Sequence, residues 1–431
     1  MTAPVEHSSL YRLPWSLVDN AITWLEPTTK CNLYCEGCYR ENDPAGHKPL
    51  EQVIADLQTV KRLRKTDGIS IAGGEPLIYP HIVELVRYVR QQGWKPIINS
   101  NGQALTRESM TRLHEAGVAG FTFHVDSHQR RPGWQGKSEA DLNELRIDLA
   151  RTVYEYGKGG VACAFNATIY RDTLDQVPML TNWAQEHSAL VNTMVYILFR
   201  SVKANLAHNA YVRGEKVDMG RLVYGMEQQD GQADIKAPEV IEKIRTVFPE
   251  YQPCAYLNGT EDPTALKWLL TVRLGGPRRM IGCLGRKTME IAQVVHHLRY
   301  GTYLAYMRPG WMRHARWFLL LGLVNREIAR LGWEVLRDPA NWFAPFHMQS
   351  IVVIQPCDVF PDGRQSMCDA CPDALPYQGR LVWSCRVDEL EKYGTFVSFG
   401  PMAERIGEPS SGQEIATAAG APQEAPRHVT C

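Results

Sequence analysis

Three cysteines within eight residues, Cys31-Asn-Leu-Tyr-Cys35-Glu-Gly-Cys38, carry the densest chemistry in this chain. Thiolates so closely spaced serve a metal. Zinc closes a tetrahedron with four ligands, usually drawn from separate close pairs of cysteine or histidine. A cubane iron–sulfur cluster has four irons, and three thiolates from one loop leave the fourth iron open. No fourth cysteine lies near, so a cluster with an open iron is the better reading.

About one helix later comes Gly68-Ile-Ser-Ile-Ala-Gly73-Gly74-Glu75-Pro76, a strand running into a glycine turn with a carboxylate at its end. Two glycines let a ligand approach the backbone, and Glu75 offers an acceptor for an ammonium group. Alone, a Gly-Gly pair is more often an ordinary strand-to-helix turn. A third concentration is Cys357, Cys368, Cys371 and Cys385, four cysteines in 29 residues with one close pair. That density can close a tetrahedral metal site, and for an isolated sequence zinc would be the default.

The intervening elements have to position these groups. Ala21–Leu25 reads as a strand, and Pro49–Arg64 as a helix with Leu50, Val53, Ile54, Leu57 and Val60 at helical spacing. Helices over His81–Gln92, Met110–Ala116, Glu139–Tyr156 and Leu180–Glu186 alternate with strands over Lys95–Ser100, Gly120–Ser127, Val161–Tyr170 and Val191–Phe199. Six strands separated by helices imply a parallel sheet with right-handed crossovers. Ligands of such α/β folds sit at the C-terminal ends of strands. Those ends carry Asn99-Ser100-Asn101, then His124, Asp126 and Ser127, then Asn166.

Cys-x3-Cys-x2-Cys after a first strand, with Gly-Gly-Glu-Pro one helix later, resembles the radical S-adenosylmethionine (SAM) enzymes. The resemblance implies an α/β fold, a partial (βα)6 TIM-like barrel, here with a C-terminal extension. It implies a [4Fe–4S] cluster on Cys31, Cys35 and Cys38 whose open iron is chelated by SAM. One electron then splits SAM into methionine and a 5′-deoxyadenosyl radical, which takes hydrogen from an unactivated carbon. Gly73, Gly74 and Glu75 would position the methionine end of SAM, and Asn99, Ser100 and Asn101 its ribose or carboxylate. By strand position alone, His124 and Asp126 are candidate catalytic residues, and Asn166 a candidate cofactor contact. Without a flavin motif in the chain, an external flavodoxin- or ferredoxin-type electron donor is implied. Beside such a core, Cys357, Cys368, Cys371 and Cys385 resemble an auxiliary [4Fe–4S] extension, with zinc as the lesser option. Cys254 and Cys283 are possible extra ligands, and Cys163 reads as a core residue. One departure is Gly37, where the family often has an aromatic residue before the third cysteine; here Tyr39 follows it instead.

Composition narrows the rest. The net charge is zero over 431 residues, which gives no global case for nucleic acid. No secretory signal or membrane-length apolar run is present, the longest being Trp317–Val324, and eleven cysteines fit a reducing, cytoplasmic setting. Only 30 residues precede Cys31, too few for a cobalamin-binding domain, and Arg131 breaks the cobalamin-like pattern begun by Asp126 and His128. From Leu266 to Arg337, 13 basic residues face three acidic ones, a net +10, with interleaved tryptophan and tyrosine. That suits an ordinary basic surface, an anionic membrane face or a pocket for an amphiphile with acidic groups. The expected organisation is a segment 1–20, a core 21–200, a helical basic region 201–345, a cysteine-rich region 346–404 and a disordered tail 405–431. The expected substrate is lipid-, isoprenoid- or tetrapyrrole-like, against a peptide or small polar metabolite. The reading from another class is a non-catalytic zinc or iron–sulfur scaffold.

Overall fold

Apolar runs of five to eight residues, separated by amphipathic helices, form the parallel sheet that the alternation implies. The computed structural model describes residues 5–199, 208–218, 235–323, 325–360 and 362–401. The tail from Arg405 and part of 201–262 lie outside the described residues. After the short strand β1 (Tyr11–Arg12), the core runs β2 (Ile22–Thr28), α1 (Leu50–Leu63), β3 (Gly68–Gly73), α2 (Ile82–Gln91) and β4 (Lys95–Ser100). It continues with α3 (Arg107–Ala116), β5 (Gly120–His124), α4 (Leu142–Tyr156), β6 (Ala162–Ile169), α5 (Val177–Glu186) and β7 (Thr193–Leu198). Strands β2 to β7 pair in sequence order, all parallel. This is a partial TIM-like barrel.

Alternation along each strand sorts the side chains onto two faces. Leu25, Ile71, Ile98, Phe123, Phe165 and Tyr196 join helix residues such as Val53, Val86 and Leu113 in the main core. The opposite face carries Ser70, Asn99, Thr122, His124, Asn166 and Thr168. The barrel thus has an oily outside under its helices and a polar inside. Cys163 lies in that core at 1% exposure, a packing residue as expected.

The strand read over Gly120–Ser127 ends at His124. Past it the backbone is satisfied locally: Ser127 N–H donates to Glu139 Oε1 and His128 N–H to Asp126 Oδ1. Asp126 and Ser127 therefore stand in the loop above the strand.

Residues 201–345, expected to be helical, also supply strands. β8 (His208–Val212) and β9 (Glu215–Val217) form a small hairpin, and α6 (Ala237–Arg245) leads to β10 (Ala255–Leu257), β11 (Trp268–Gly275) and β12 (Met280–Cys283). The helices α7 (Arg286–Tyr300), α8 (Pro309–Arg313) and α9 (Arg326–Arg337) follow, then β13 (His347–Ile354). β13 lies parallel to β7 and antiparallel to β11, so the sheet continues past the barrel through β13, β11, β10 and β1. Both faces of these strands are buried: Leu269, Ile351 and Val353 join the main core, and Val272, Leu274 and Met348 a second apolar cluster on the other side.

The cysteine-rich region is built from short pieces. β14 (Asp358–Val359) pairs with β15 (Gln365–Ser366), and β16 (Ala374–Tyr377) with β17 (Arg380–Trp383), before α10 (Val387–Tyr393). β18 (Ser398–Pro401) completes the β8–β9 sheet. β16 packs on β2 and α1, with Leu375 and Val382 against Trp24, so this region lies along the free edge of the barrel. Among the described residues, no helix is long and apolar enough to cross a membrane.

Candidate active site and second cysteine centre

The loop bearing Cys31, Cys35 and Cys38 leaves β2 and is fastened to the loop after β5. Glu36 N–H donates to His128 O (3.2 Å) and Arg130 N–H to Tyr34 O (2.9 Å), and Cys35 bridges Gln129. Side chains complete the clasp: His128 Nδ1 meets Glu36 Oε2 at 2.7 Å, and its ring stacks on Tyr170 with centroids 3.8 Å apart. Gly37 N–H donates to Tyr170 Oη (3.1 Å). Phe199 and Tyr170 occupy the space a side chain at Gly37 would need. The aromatic bulk absent from position 37 is thus supplied by Tyr170 and Phe199, each one residue past the end of β6 or β7.

Burial raises all three thiols above their ordinary range, and each lies close enough to another of the three to feel its charge. Amide donors face the sulfurs. Gln129 Nε2 is 3.4 Å from Cys35 Sγ, and Asn101 Nδ2 is 3.8 Å from Cys31 Sγ. These are groups that stabilise thiolate once a metal removes the protons.

The Gly73-Gly74 turn presses against the same loop. Gly73 has φ +102°, and a Cβ there would overlap Thr28 O; one at Gly74 would overlap Lys30 O. Glu75 is fully buried. Its Oε1 accepts from Leu77 N–H (2.9 Å) and Ser100 Oγ (2.7 Å), and its Oε2 from Asn101 N–H (2.7 Å). The carboxylate therefore ties the end of β3 to the end of β4. Asn101 then reaches Asn32 Oδ1 with its amide (2.8 Å).

Lower in the barrel, Asn99 Nδ2 and Asn166 Oδ1 are buried without a partner. His124 Nε2 meets Asp126 Oδ2 at 2.8 Å and Thr168 Oγ1 at 2.9 Å. Burial alone would raise the Asp126 carboxyl, but His124, Thr168 N–H and His128 outweigh it and hold it below its ordinary value. Asp126 is an anion at neutral pH. Arg131, buried at 3% exposure, donates to His124 O (3.2 Å) and Gln129 Oε1 (2.8 Å), while its Nε has no partner. Its charge is felt by Glu75, Cys35 and Asp126, which places it among all the site's elements.

Arg131, Gln129, Tyr170 and Phe199 went unmarked in the sequence as site residues. The one available signal was the polar run Gln129-Arg130-Arg131 directly after a strand end. Asn99, Ser100, Asn101, His124, Asp126 and Asn166 do come together on the barrel interior and its rim.

The second centre lies between β11, β13 and α1. Burial raises all four thiols, Cys368 to about 12. Cys385 feels Cys357 and Cys368, while Cys371 feels Cys368 and Cys385, so the four are gathered in one place. Fully buried Lys267 donates to Pro356 O (2.9 Å) and Asp358 Oδ2 (2.5 Å), beside Cys357 and Cys368. Arg64 donates to Cys371 O (2.8 Å), and its Nε and Nη1 have no partner; burial draws its guanidinium down to about 10. Cys254 feels the charge of Cys283.

The two centres offer different donor sets. The first offers three thiols with amide donors and, alongside, orphaned polar atoms and a glycine cradle for SAM. The second offers four thiols beside two buried cations, one with unfilled donors. Among the described residues no three His, Cys, Asp or Glu side chains meet in ready-made metal geometry. To bind a metal, either loop would have to tighten around it.

Comparison with known proteins covers the barrel and the loop of the first centre. Residues 25–184 match the model of the Radical SAM superfamily. Over 106 residues the chain is 32% identical to the tungsten-containing aldehyde ferredoxin oxidoreductase cofactor-modifying protein of Pyrococcus furiosus, covering 24% of this chain and 30% of that one. Over 185 residues it is 25% identical to the AdoMet-dependent heme synthase of Methanosarcina barkeri, covering 41% and 50%. The chain thus spans half or less of the length of these relatives. Among solved structures, Streptococcus suis SuiB bound to precursor peptide SuiA is 19% identical with a TM-score of 0.35, covering 43% of this chain and 41% of that one.

Proposed function

The chain belongs to the radical SAM superfamily through residues 25–184, and on that premise we propose that it abstracts hydrogen from an unactivated carbon of an amphiphilic substrate with acidic groups. The cofactors of the family are a [4Fe–4S] cluster and SAM; together, once reduced, they supply a 5′-deoxyadenosyl radical. The protein's own part is positioning. Cys31, Cys35 and Cys38 would hold the cluster, with the Asn101 amide facing Cys31 Sγ and the Gly73-Gly74 turn packed on the same loop. Asn99, Asn166 and Arg131 offer free polar atoms to SAM or substrate. Asp126 and Thr168 both meet His124 Nε2 and would fix the orientation of its ring. Water must be excluded, because a primary carbon radical has to meet only its target.

The observation that carries this reading is the clasp between residues 34–36 and 128–130, which sets the three thiols over the polar barrel interior. Amphiphilic substrates are favoured by the basic, tryptophan-rich extension, and one relative is named for heme, a tetrapyrrole with acidic side chains. A flavodoxin- or ferredoxin-type protein would deliver the electron. Cys357, Cys368, Cys371 and Cys385 would hold an auxiliary [4Fe–4S] cluster, supported by the buried cations around them.

The test is formation of 5′-deoxyadenosine from SAM after anaerobic reconstitution and dithionite reduction. The wild type should produce it, and a Cys31/Cys35/Cys38→Ala variant should not. Zinc in place of iron, with no SAM cleavage, would establish the scaffold reading instead.

A further inference from the structure

The extension exposes more apolar surface than a water-facing fold needs. Leu320, Leu323 and Phe343 are 70%, 90% and 94% exposed, with Trp317, Trp333 and Leu336 exposed beside them. These belong to one continuous ridge. The turn Ala315–Leu323 packs on α9, Trp342 Nε1 donates to Leu336 O (2.9 Å), and Arg316 Nη2 donates to Asn341 O (2.9 Å) and Ala344 O (2.7 Å). α7 is bonded to the same piece, since Thr288 Oγ1 meets Glu327 Oε2 (3.1 Å) and Asn325 Nδ2 (3.0 Å).

α7 is amphipathic with its apolar face turned outward. Ile291, Val294, Val295 and Leu298 stand at i, i+3, i+4 and i+7, all exposed, while Thr288, Met289 and Gln293 are buried, so one large apolar residue of the helix faces in and four face out. An ordinary surface helix has the reverse arrangement. Charge identifies what could cover such a face. Arg299 on α7 and Arg326 and Arg330 on α9 are exposed without an ion-pair partner among the described residues, against two exposed acidic residues, Glu290 and Glu334, of which Glu334 is paired with Arg337. A second copy of the chain would bring the same surplus of positive charge against itself. An anionic lipid surface accepts both the apolar ridge and the free arginines.

We propose that α7, the turn Ala315–Leu323 and α9 form a peripheral docking surface for an anionic lipid bilayer, inserting the ridge among acyl chains with arginines at the headgroups. Neither signal alone suffices for stable binding: a few shallow apolar side chains and a few surface charges each give weak attachment, and together they add. Such docking deepens the amphiphilic-substrate reading, because it would bring the barrel to where an amphiphile resides. It does not depend on the cluster.

Co-sedimentation of the full chain with phosphatidylcholine vesicles, with and without phosphatidylglycerol, tests this. The wild type should pellet with the anionic vesicles at low salt, at least tenfold more than with neutral ones, and release as salt rises. A Leu323→Glu/Phe343→Glu variant should lose about tenfold of that binding, as should Arg326→Gln/Arg330→Gln. All four positions are exposed, and unchanged thermal melts would confirm folding. Binding no greater than to neutral vesicles, or unchanged in both variants, would overturn the proposal. So would a stable dimer in sedimentation velocity that Leu323→Glu/Phe343→Glu dissolves, since the occupant would then be a second copy. SAM cleavage measured on the same samples separates this result from the fate of the functional reading.

Discussion

At Gly37 the loop passes so close to its neighbours that a Cβ would lie 2.9 Å from both a Phe199 ring carbon and the Tyr170 hydroxyl. Gly37→Ala should therefore overpack the clasp at a cost of about 1–3 kcal/mol and lower iron uptake on reconstitution. Adding Phe199→Leu should restore uptake. Iron loading in Gly37→Ala equal to wild type would show that the clasp yields freely. Asp126 allows a second expectation, on pH. Its folded pKa lies below the unfolded value near 3.9, so its stabilisation is present above that pH and fades as pH falls through the folded value. Asp126→Asn should cost about 2 kcal/mol at neutral pH and flatten the fall of Tm below about pH 5. An unchanged acid slope in melts of the apo chain would remove Asp126 as its source. The cysteines were legible because one cluster needs its ligands in one loop. Tyr170, Phe199 and Arg131 were not, since residues distant in sequence leave no spacing to read.

Among the elements, the β3 turn is the most constrained. Gly73 combines φ +102° with backbone contact to Thr28, and Gly74 approaches Lys30 O as closely. Neither obstacle is a side chain that could swing aside. Gly73→Ala or Gly74→Ala should push the turn off the Thr28–Lys30 segment, dragging Glu75 from Ser100 and Asn101 with it. We expect SAM affinity, read by equilibrium dialysis on the reconstituted chain, to fall at least tenfold while iron content holds. Retained affinity would mean that SAM does not use this turn. Barrel elements were readable to within a few residues because both periodicities are strong: Lys95–Ser100 matches the expected strand at both ends, while Gly120–Ser127 overshot its end. The overshoot has a cause, since Asp126 and Ser127 continue the polar alternation but their backbone bonds go to side chains. β10 and β11 were missed because their partners, β1 and β13, lie far away in sequence, and pairing of that kind is invisible to a local window.

Across the whole molecule, the C-terminal region acts as a strap between the two cysteine centres. It is bonded to the chain's beginning through Arg12–Asp369 (2.5 Å) and Asn20 Nδ2 to Ala370 O (3.0 Å). From its other end, α10 grips the loop of the first centre. Glu391 takes both Arg40 amino groups (2.9 and 3.0 Å), and Lys392 pairs with Glu41 (2.9 Å), just beyond Cys38. Arg40 itself is buried against Glu26 at 3.0 Å, so this grip is not a loose surface pair. Binding a metal at the second centre would order β14 to β17 and α10, and through Arg40 would stiffen the loop that must close on the first cluster. The coupling is reciprocal, but the first centre, with three thiols against four, is the weaker binder and the one whose loading falls when its neighbour is empty. Iron counts on two variants should therefore be unequal. With about four irons per cluster, the wild type should hold about eight and Cys31/Cys35/Cys38→Ala about four. Cys357/Cys368/Cys371/Cys385→Ser should hold fewer than four, since its first centre has lost its strap. Four irons falling to none in the triple variant would make the second centre zinc or plain thiols. A clean four in the quadruple variant would keep two clusters but show that the Arg40 connection carries no coupling between them.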